Sequence, residues 1–199
     1  GGPDVAGAGD LANDGAGAGA SFAVQDFGTL NGRDVGREVD QDARAVQLFG
    51  QRPNQAVAAA RLGAPVSFIA RIGDDAIGHQ MKTGFANDGI DVSAVELDPR
   101  LPTGIAIIYV SDEGENSIGI SAEANGALTP AVVQGHEAMI AAAHTLLLQL
   151  EVPLESVQEA ARLARAHGTR VVLNPAPARP LSRDLLALVD LITPNQTEA

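Results

Sequence analysis

An α/β fold with a mainly parallel central sheet covered by helices, and a β-hairpin attached to it, is what this sequence predicts. Three observations carry the expectation. From Thr145 onward, apolar strand-like runs alternate with helical patterns, the order that places a parallel sheet between layers of helix. Polar residues follow three successive strand candidates, as they do where strands end at a ligand-facing edge. The polar stretch Asp112-Glu113-Gly114-Glu115-Asn116 separates two short apolar runs, which is a hairpin pattern.

The elements follow in order. Residues 1–53 hold no assignable element. Ten of the 22 glycines fall within residues 1–40, including the run from Gly15 to Ala20. Glycine costs about 0.5–1 kcal/mol relative to alanine inside an element, so little regular structure is expected there. The segment reads as disordered, or as a shifted reading frame joined to a folded domain that starts at Asn54. Asn54–Leu62 is alanine-rich and stopped by Gly63, a helix, and Val66–Ile72 is a strand of branched residues. Asp75 caps a helix whose residues Ile77, Met81 and Phe85 share one face and which ends near Gly89. Ile105–Val110 and Ser117–Ile120 are the hairpin strands. Thr129-Pro130 opens a helix to about Ala143. There follow a strand Thr145–Leu150, a helix opened by Pro153, a strand Arg170–Leu173, a short helix near Leu185 and a strand Leu191–Thr193. That last apolar strand has no expected neighbour on one side, and an open hydrophobic edge predicts poor solubility for the isolated chain.

Composition narrows the function classes. With 199 residues, 45% of them hydrophobic, the chain can bury one core. A formal charge of −12 repels phosphate backbones and anionic lipid heads, so neither a nucleic acid nor a membrane surface is expected as a partner. The absence of cysteine excludes disulfides, thiolate metal sites and a thiol nucleophile. No apolar run approaches the roughly 20 residues of a membrane helix, and no basic-then-apolar leader opens the chain, so the expected location is the cytoplasm. His79, His136, His144 and His167 have no metal-like spacing, and Arg162 and Arg165 read as part of a solvated helix face.

The candidate site residues come from the strand ends. Leu150 is followed by Glu151, Leu173 by Asn174, and Thr193-Pro194 by Asn195, which gathers a carboxylate and two amides at one edge together with Glu198. Caps and turns use the same residue types, and that alternative stands beside the ligand-binding one.

Motifs spread over residues 54–199 resemble a known family. They are Asn54-Gln55-Ala56-Val57-Ala58-Ala59-Ala60-Arg61-Leu62-Gly63-Ala64, Ile72-Gly73-Asp74-Asp75-Ala76-Ile77-Gly78, Gly114-Glu115-Asn116, Gln149-Leu150-Glu151, Asn174-Pro175-Ala176-Pro177-Ala178 and Thr193-Pro194-Asn195-Gln196-Thr197-Glu198. In this order they are similar to the PfkB-type carbohydrate kinases, and within them to ribokinases. The resemblance implies a three-layer fold, here incomplete at both ends, and transfer of the ATP γ-phosphoryl group to the primary hydroxyl of ribose or a related pentose. It implies that Asn54 and Glu151 hold sugar hydroxyls, and that Ile105 and Ile118 belong to a hairpin lid lying against the sugar's apolar face. Asn195 and Glu198 would hold Mg²⁺ and its waters, with Asn195 beside the nucleotide. ATP and Mg²⁺ are the implied cofactors, with K⁺ as a further one, and a homodimer through the lid is the implied assembly.

The chain also departs from the family pattern. Where the family has Gly-Gly-Lys-Gly-Ala-Asn, this sequence reads Phe49-Gly50-Gln51-Arg52-Pro53-Asn54. The family's catalytic base, the last Asp of a Gly-Ala-Gly-Asp motif, has no counterpart in residues 54–199 and is expected beyond Ala199. The stretch Asp4-Val5-Ala6-Gly7-Ala8-Gly9-Asp10 resembles that motif at the other end of the chain, so Asp10 would be the base only in a circular permutation. The rival expectations are a non-catalytic sugar- or nucleotide-binding α/β module and an inactive gene fragment.

Overall fold

Branched and aromatic residues at alternate positions favour extended backbone. In the computed structural model, which describes residues 44–48, 54–110 and 116–196, such segments align into one six-stranded sheet. The elements are β1 (Ala45–Leu48), α1 (Asn54–Arg61), β2 (Val66–Gly73), α2 (Ala76–Asn87), β3 (Asp91–Asp98), β4 (Ile105–Val110), β5 (Asn116–Ser121), a 3₁₀ turn at Glu123–Ala127, α3 (Pro130–Gly135), α4 (Glu137–Ala141), β6 (Thr145–Leu148), α5 (Leu154–His167), β7 (Arg170–Leu173), α6 (Arg183–Leu186) and β8 (Leu191–Ile192). The sheet runs β3-β2-β1-β6-β7-β8 with every neighbouring pair parallel. Strands β4 and β5 form a separate antiparallel hairpin in which Ile105 pairs with Ser121 and Ile108 with Ile118.

Alternation along the strands feeds two cores. Val46, Leu48, Leu146, Leu148, Val171 and Leu173 face α3, α4, α5 and α6, where Val133, Ile140, Val157, Ala160, Leu163 and Leu185 meet them. On the other face Val66, Phe68, Ala70 and Ile72 of β2 pack against Ala56 of α1 and Phe85 of α2. Phe68 and Phe85 meet edge to face, ring centroids 4.9 Å apart at 83°, the arrangement that aromatic quadrupoles favour. The result is the helix–sheet–helix layering that the motif order implies. Among the described residues no helix is long and apolar enough to cross a membrane.

Local differences from the expected elements have physical causes. Strand β1 lies upstream of Asn54, where no element was expected, and it sits in the middle of the sheet. Strand β3 was also not foreseen. It is an edge strand, half of whose residues are polar, and a register shift between Ser67 and Ile69 of its partner breaks the alternation that would reveal it. The helix expected from Pro130 to about Ala143 is two short helices interrupted at His136. Gly135 weakens the helix at that point, and the imidazole of His136 lies 3.4 Å from Glu96 of β3. Strand β6 ends at Leu148 rather than Leu150. In α2 Phe85 is buried as its periodicity suggests, but Ile77 is exposed. The helix approaches β2 through Gly78 instead, where an added Cβ would collide with the carbonyl oxygen of Gly73, so the adjoining Ile77 turns away from the sheet.

Replacing Gly78 by alanine is therefore expected to cost about 1–3 kcal/mol, since the colliding atom is backbone and cannot swing aside. Gly84 lies in the same helix with nothing within 4 Å of an added Cβ, so Gly84→Ala is expected to leave stability unchanged or raise it by about 0.5–1 kcal/mol. Thermal melts of the two variants followed by circular dichroism check the contrast; equal effects would contradict the packing described.

Candidate functional site at the carboxyl edge of the sheet

Chain winding decides where a site can form. From β1 the chain moves outward through β2 to β3, and later returns to the other side of β1 with β6, β7 and β8. The winding direction therefore reverses between β1 and β6, and the crevice outside their carboxyl ends is where open α/β sheets bind ligands. Two segments meet there. One is the start of α1, with Asn54 as its first residue, and the other is the loop Gln149-Leu150-Glu151 after β6. Gln149 Nε2 donates to Gln55 Oε1 at 3.5 Å, a contact across 94 residues of sequence.

Glu151, Asn174 and Asn195 follow the three neighbouring strands β6, β7 and β8 and thus share the carboxyl edge. Their surroundings differ. Glu151 is half-buried in the loop beside the switch point. Asn174 continues the ladder, its N–H donating to Leu148 O at 2.9 Å, and its Oδ1 accepts from Ala176 N at 3.2 Å. That side chain closes a turn, which is the cap-and-turn alternative for Asn174. Asn195 lies exposed in the loop after β8. Ile105 opens β4 and is exposed. Ile118 lies on β5 opposite Ile108. The side chains of Asn54 and Ile118 are not among those described, and Asp10, Glu198 and the hairpin turn at 111–115 lie outside the described residues.

The hairpin leaves the domain from a tightly bonded root. Asp75 caps α2 by accepting from Gly78 N at 2.7 Å, and it also accepts from Thr103 N at 2.7 Å and from the Thr103 hydroxyl at 2.8 Å. Thr103 Oγ1 in turn accepts from Gly73 N at 3.1 Å. The N–H of Gly78, then that of Thr103, holds the Asp75 carboxyl below the usual carboxylate range. One carboxylate thereby joins the end of β2, the start of α2 and the segment entering β4. The cap was legible in the sequence; Thr103, 28 residues away, was not.

A second carboxylate cluster lies between the ends of β2 and β3. Arg71 bonds Asp98 at 2.9 Å through Nε and Glu96 at 2.9 Å through Nη1, and Asp98 also accepts from the backbone N–H groups of Arg100 at 2.8 Å and Leu101 at 3.1 Å. The Arg100 N–H and then the Arg71 side chain lower the Asp98 pKa to about 2. No group of three or more His, Asp or Glu suited to a metal ion occurs among the described residues. The histidines have separate partners: His79 with Asp74 at 2.8 Å, His167 with Glu137 at 2.7 Å, and His144 Nδ1 accepting from Arg44 N at 3.2 Å.

A surface cavity of about 450 Å³ opens at the opposite edge, lined by Arg165, Gly168, Thr169, Arg170 and Asp190. Arg165, Asp190 and Thr169 in its lining are already engaged. Arg165 pairs with Asp190 at 2.7 Å, and Asp190 accepts from Val171 N at 2.8 Å, so the cluster fastens α5 and β7 to the start of β8. Arg162 pairs with Glu159 on the exposed face of α5, as expected for a solvated arginine.

Comparisons with known proteins agree with the motif order. The family profile described as pfkB family carbohydrate kinase matches residues 30–199. The chain is similar to a ribokinase of Haemophilus influenzae, with 52% identity over 150 residues that make up 75% of this chain and 49% of that protein. The crystal structure of Sa239 superposes with a TM-score of 0.72 at 33% identity, covering 79% of this chain and 62% of that one. The structure of Arabidopsis thaliana ribokinase complexed with ribose and ATP superposes with a TM-score of 0.71 at 24% identity, covering 78% of this chain and 61% of that one. The chain spans about half the length of the curated relatives it matches.

Because the Asp98 pKa is depressed in the fold, its contribution to stability is complete above the unfolded value near 4 and disappears as pH falls through about 2. Asp98→Asn is expected to lower the melting temperature at pH 7, with the gap to the parent chain closing as pH drops from about 4 to 2. Melting curves across that range test it; a gap independent of pH would contradict the assignment.

Proposed function

The chain belongs to the pfkB family of carbohydrate kinases, and from that premise we propose that it is the sugar-holding part of a ribokinase-type enzyme that phosphorylates the primary hydroxyl of ribose or a related pentose with ATP. The observation that carries the reading is the meeting of α1 and the Glu151 loop at the reversal of sheet winding, in a chain 52% identical to a ribokinase over 150 residues.

Each assigned residue has a chemical task. A sugar hydroxyl offers one donor and two acceptor positions, so the Glu151 carboxylate would accept from it while the Asn54 amide would both donate and accept. The β4–β5 hairpin would close over the sugar from its root at Thr103, with Ile105 and Ile118 against the apolar face. Excluding water strengthens each of these bonds and keeps the phosphoryl group from hydrolysis. Asn195 and Glu198 would supply oxygen ligands to Mg²⁺, which keeps several waters and needs only one or two protein groups beside the ATP phosphates. The exposed position of Asn195 at the carboxyl edge leaves room for that hydrated ion. When bound, Mg·ATP provides the phosphoryl group and neutralises charge during transfer. No described residue is assigned as the base. The exposed aliphatic residues Ile105 and Ile120 on the hairpin suit a two-fold contact with a second copy.

Separate calorimetric titrations of ribose and Mg·ATP test the proposal. The parent chain is expected to bind ribose, and Glu151→Ala to weaken that binding about 10- to 100-fold, the loss of a hydrogen bond to a charged group. Asn195→Ala is expected to weaken Mg·ATP binding while leaving ribose affinity in place. Ribose binding unaffected by loss of the Glu151 carboxylate would overturn the assignment.

A further inference from the structure

The packing around the reversal of winding leaves a polar demand that the described residues do not meet. Gln47 of β1 is 0% exposed and Gln149 after β6 is 5% exposed. Val46 and Leu48 face the core under α3–α6, so Gln47 projects to the opposite face, the one covered by α1. In register it lies beside Leu147, and Gln149, two residues further along, shares that face. Gln55 of α1 reaches in from above and accepts from Gln149 Nε2 at 3.5 Å. The remaining amide atoms, Gln47 Nε2, Gln47 Oε1 and Gln149 Oε1, are buried without a hydrogen-bond partner among the described residues. Each such group is destabilising when left dry, a penalty that an aliphatic residue at position 47 would avoid.

We propose that Gln47 and Gln149, closed over by Gln55, form a buried seat for one hydroxyl oxygen, brought by a water molecule or by the hydroxyl of a polyol. One such oxygen accepts from Gln47 Nε2 and donates to Gln149 Oε1, and a water has a second hydrogen for Gln47 Oε1, which completes all three unpartnered atoms. Neutral amides select a neutral guest. A cation would find too few oxygen ligands, and an anion would find a single NH₂ group beside two carbonyl oxygens. The bound oxygen would link β1 to β6 beneath α1 and so fix the spacing between the α1 terminus and the Glu151 loop. This inference rests on packing alone and does not require the chain to be a kinase.

The test is the sign of a stability change. Removing an unpartnered buried amide should raise the melting temperature, whereas removing one wall of an occupied seat should lower it. We expect Gln47→Met to lower the midpoint by several degrees, and the double variant Gln47→Met/Gln149→Met to lose less than the sum of the single changes, because the two groups share one guest. Melts in plain buffer and with millimolar ribose separate the sources: a loss already present in buffer identifies water, and a loss seen only with ribose identifies a polyol hydroxyl. An unchanged or raised midpoint under both conditions, or strictly additive losses, overturns the proposal. A high-resolution crystal structure of the unaltered chain decides the matter if the variants do not fold: a density peak about 3 Å from both Gln47 Nε2 and Gln149 Oε1 supports the seat, and empty space there refutes it.

Discussion

The pairing of β1 with both of its neighbours is the constraint on which the rest of the structure depends. Four residues, Ala45–Leu48, hydrogen-bond to β2 on one side and to β6 on the other. Among the described residues they join two half-sheets, with β2 and β3 to one side and β6, β7 and β8 to the other. Because winding reverses at this strand, its carboxyl end is also where loops from the two halves diverge and leave a crevice. Position in the sheet thus sets the location of the candidate site before any side chain is considered. A strand so central is covered on both faces, and Val46 and Leu48 meet that demand while Gln47 does not.

A second level of organisation is local and rests on very small residues. Gly73 and Gly78 let β2, α2 and the segment before β4 approach one another more closely than any side chain allows. The space they free is occupied by the Asp75 carboxylate and the Thr103 hydroxyl, which satisfy the backbone N–H groups exposed by the approach. The hairpin is therefore attached at a rigid point although it forms its own small sheet.

Much of this was legible in the sequence, and the exceptions are instructive. The helix at Asn54, the cap at Asp75, the hairpin strands, and the alternation from Thr145 to Ile192 all carry strong local signals, and the structure has them. Motif order carried the family, as the match over residues 30–199 agrees. Strand β3 was hidden because an edge strand exposes polar side chains and a bulge disturbs its period. Strand β1 was hidden because four residues are too few to show a period, and a glutamine in the middle argues against burial. The site shows the same division. Strand-end residues such as Glu151 could be placed at an edge from alternation alone. The contacts Asp75–Thr103 and Gln55–Gln149 join residues 28 and 94 positions apart, and one sequence holds no signal for a meeting that only the folded sheet creates.

Both rims of the sheet are fastened by polar side chains. At the amino rim Arg165, Asp190 and Val171 fasten α5, β7 and β8 together, and Thr169 donates to the carbonyls of Ile140 and Ala143 at the end of α4. At the carboxyl rim Asp75 with Thr103 ties the end of β2 to α2 and the hairpin entry, and Arg71 with Asp98 and Glu96 clamps β2 to β3, whereas the Asn174 side chain bonds within its own turn after β7. The two halves of the sheet are therefore locked by different residues, β2 and β3 at one rim and β7 and β8 at the other. Loosening one clasp leaves the opposite half held, so the scaffold is fastened in two separate places.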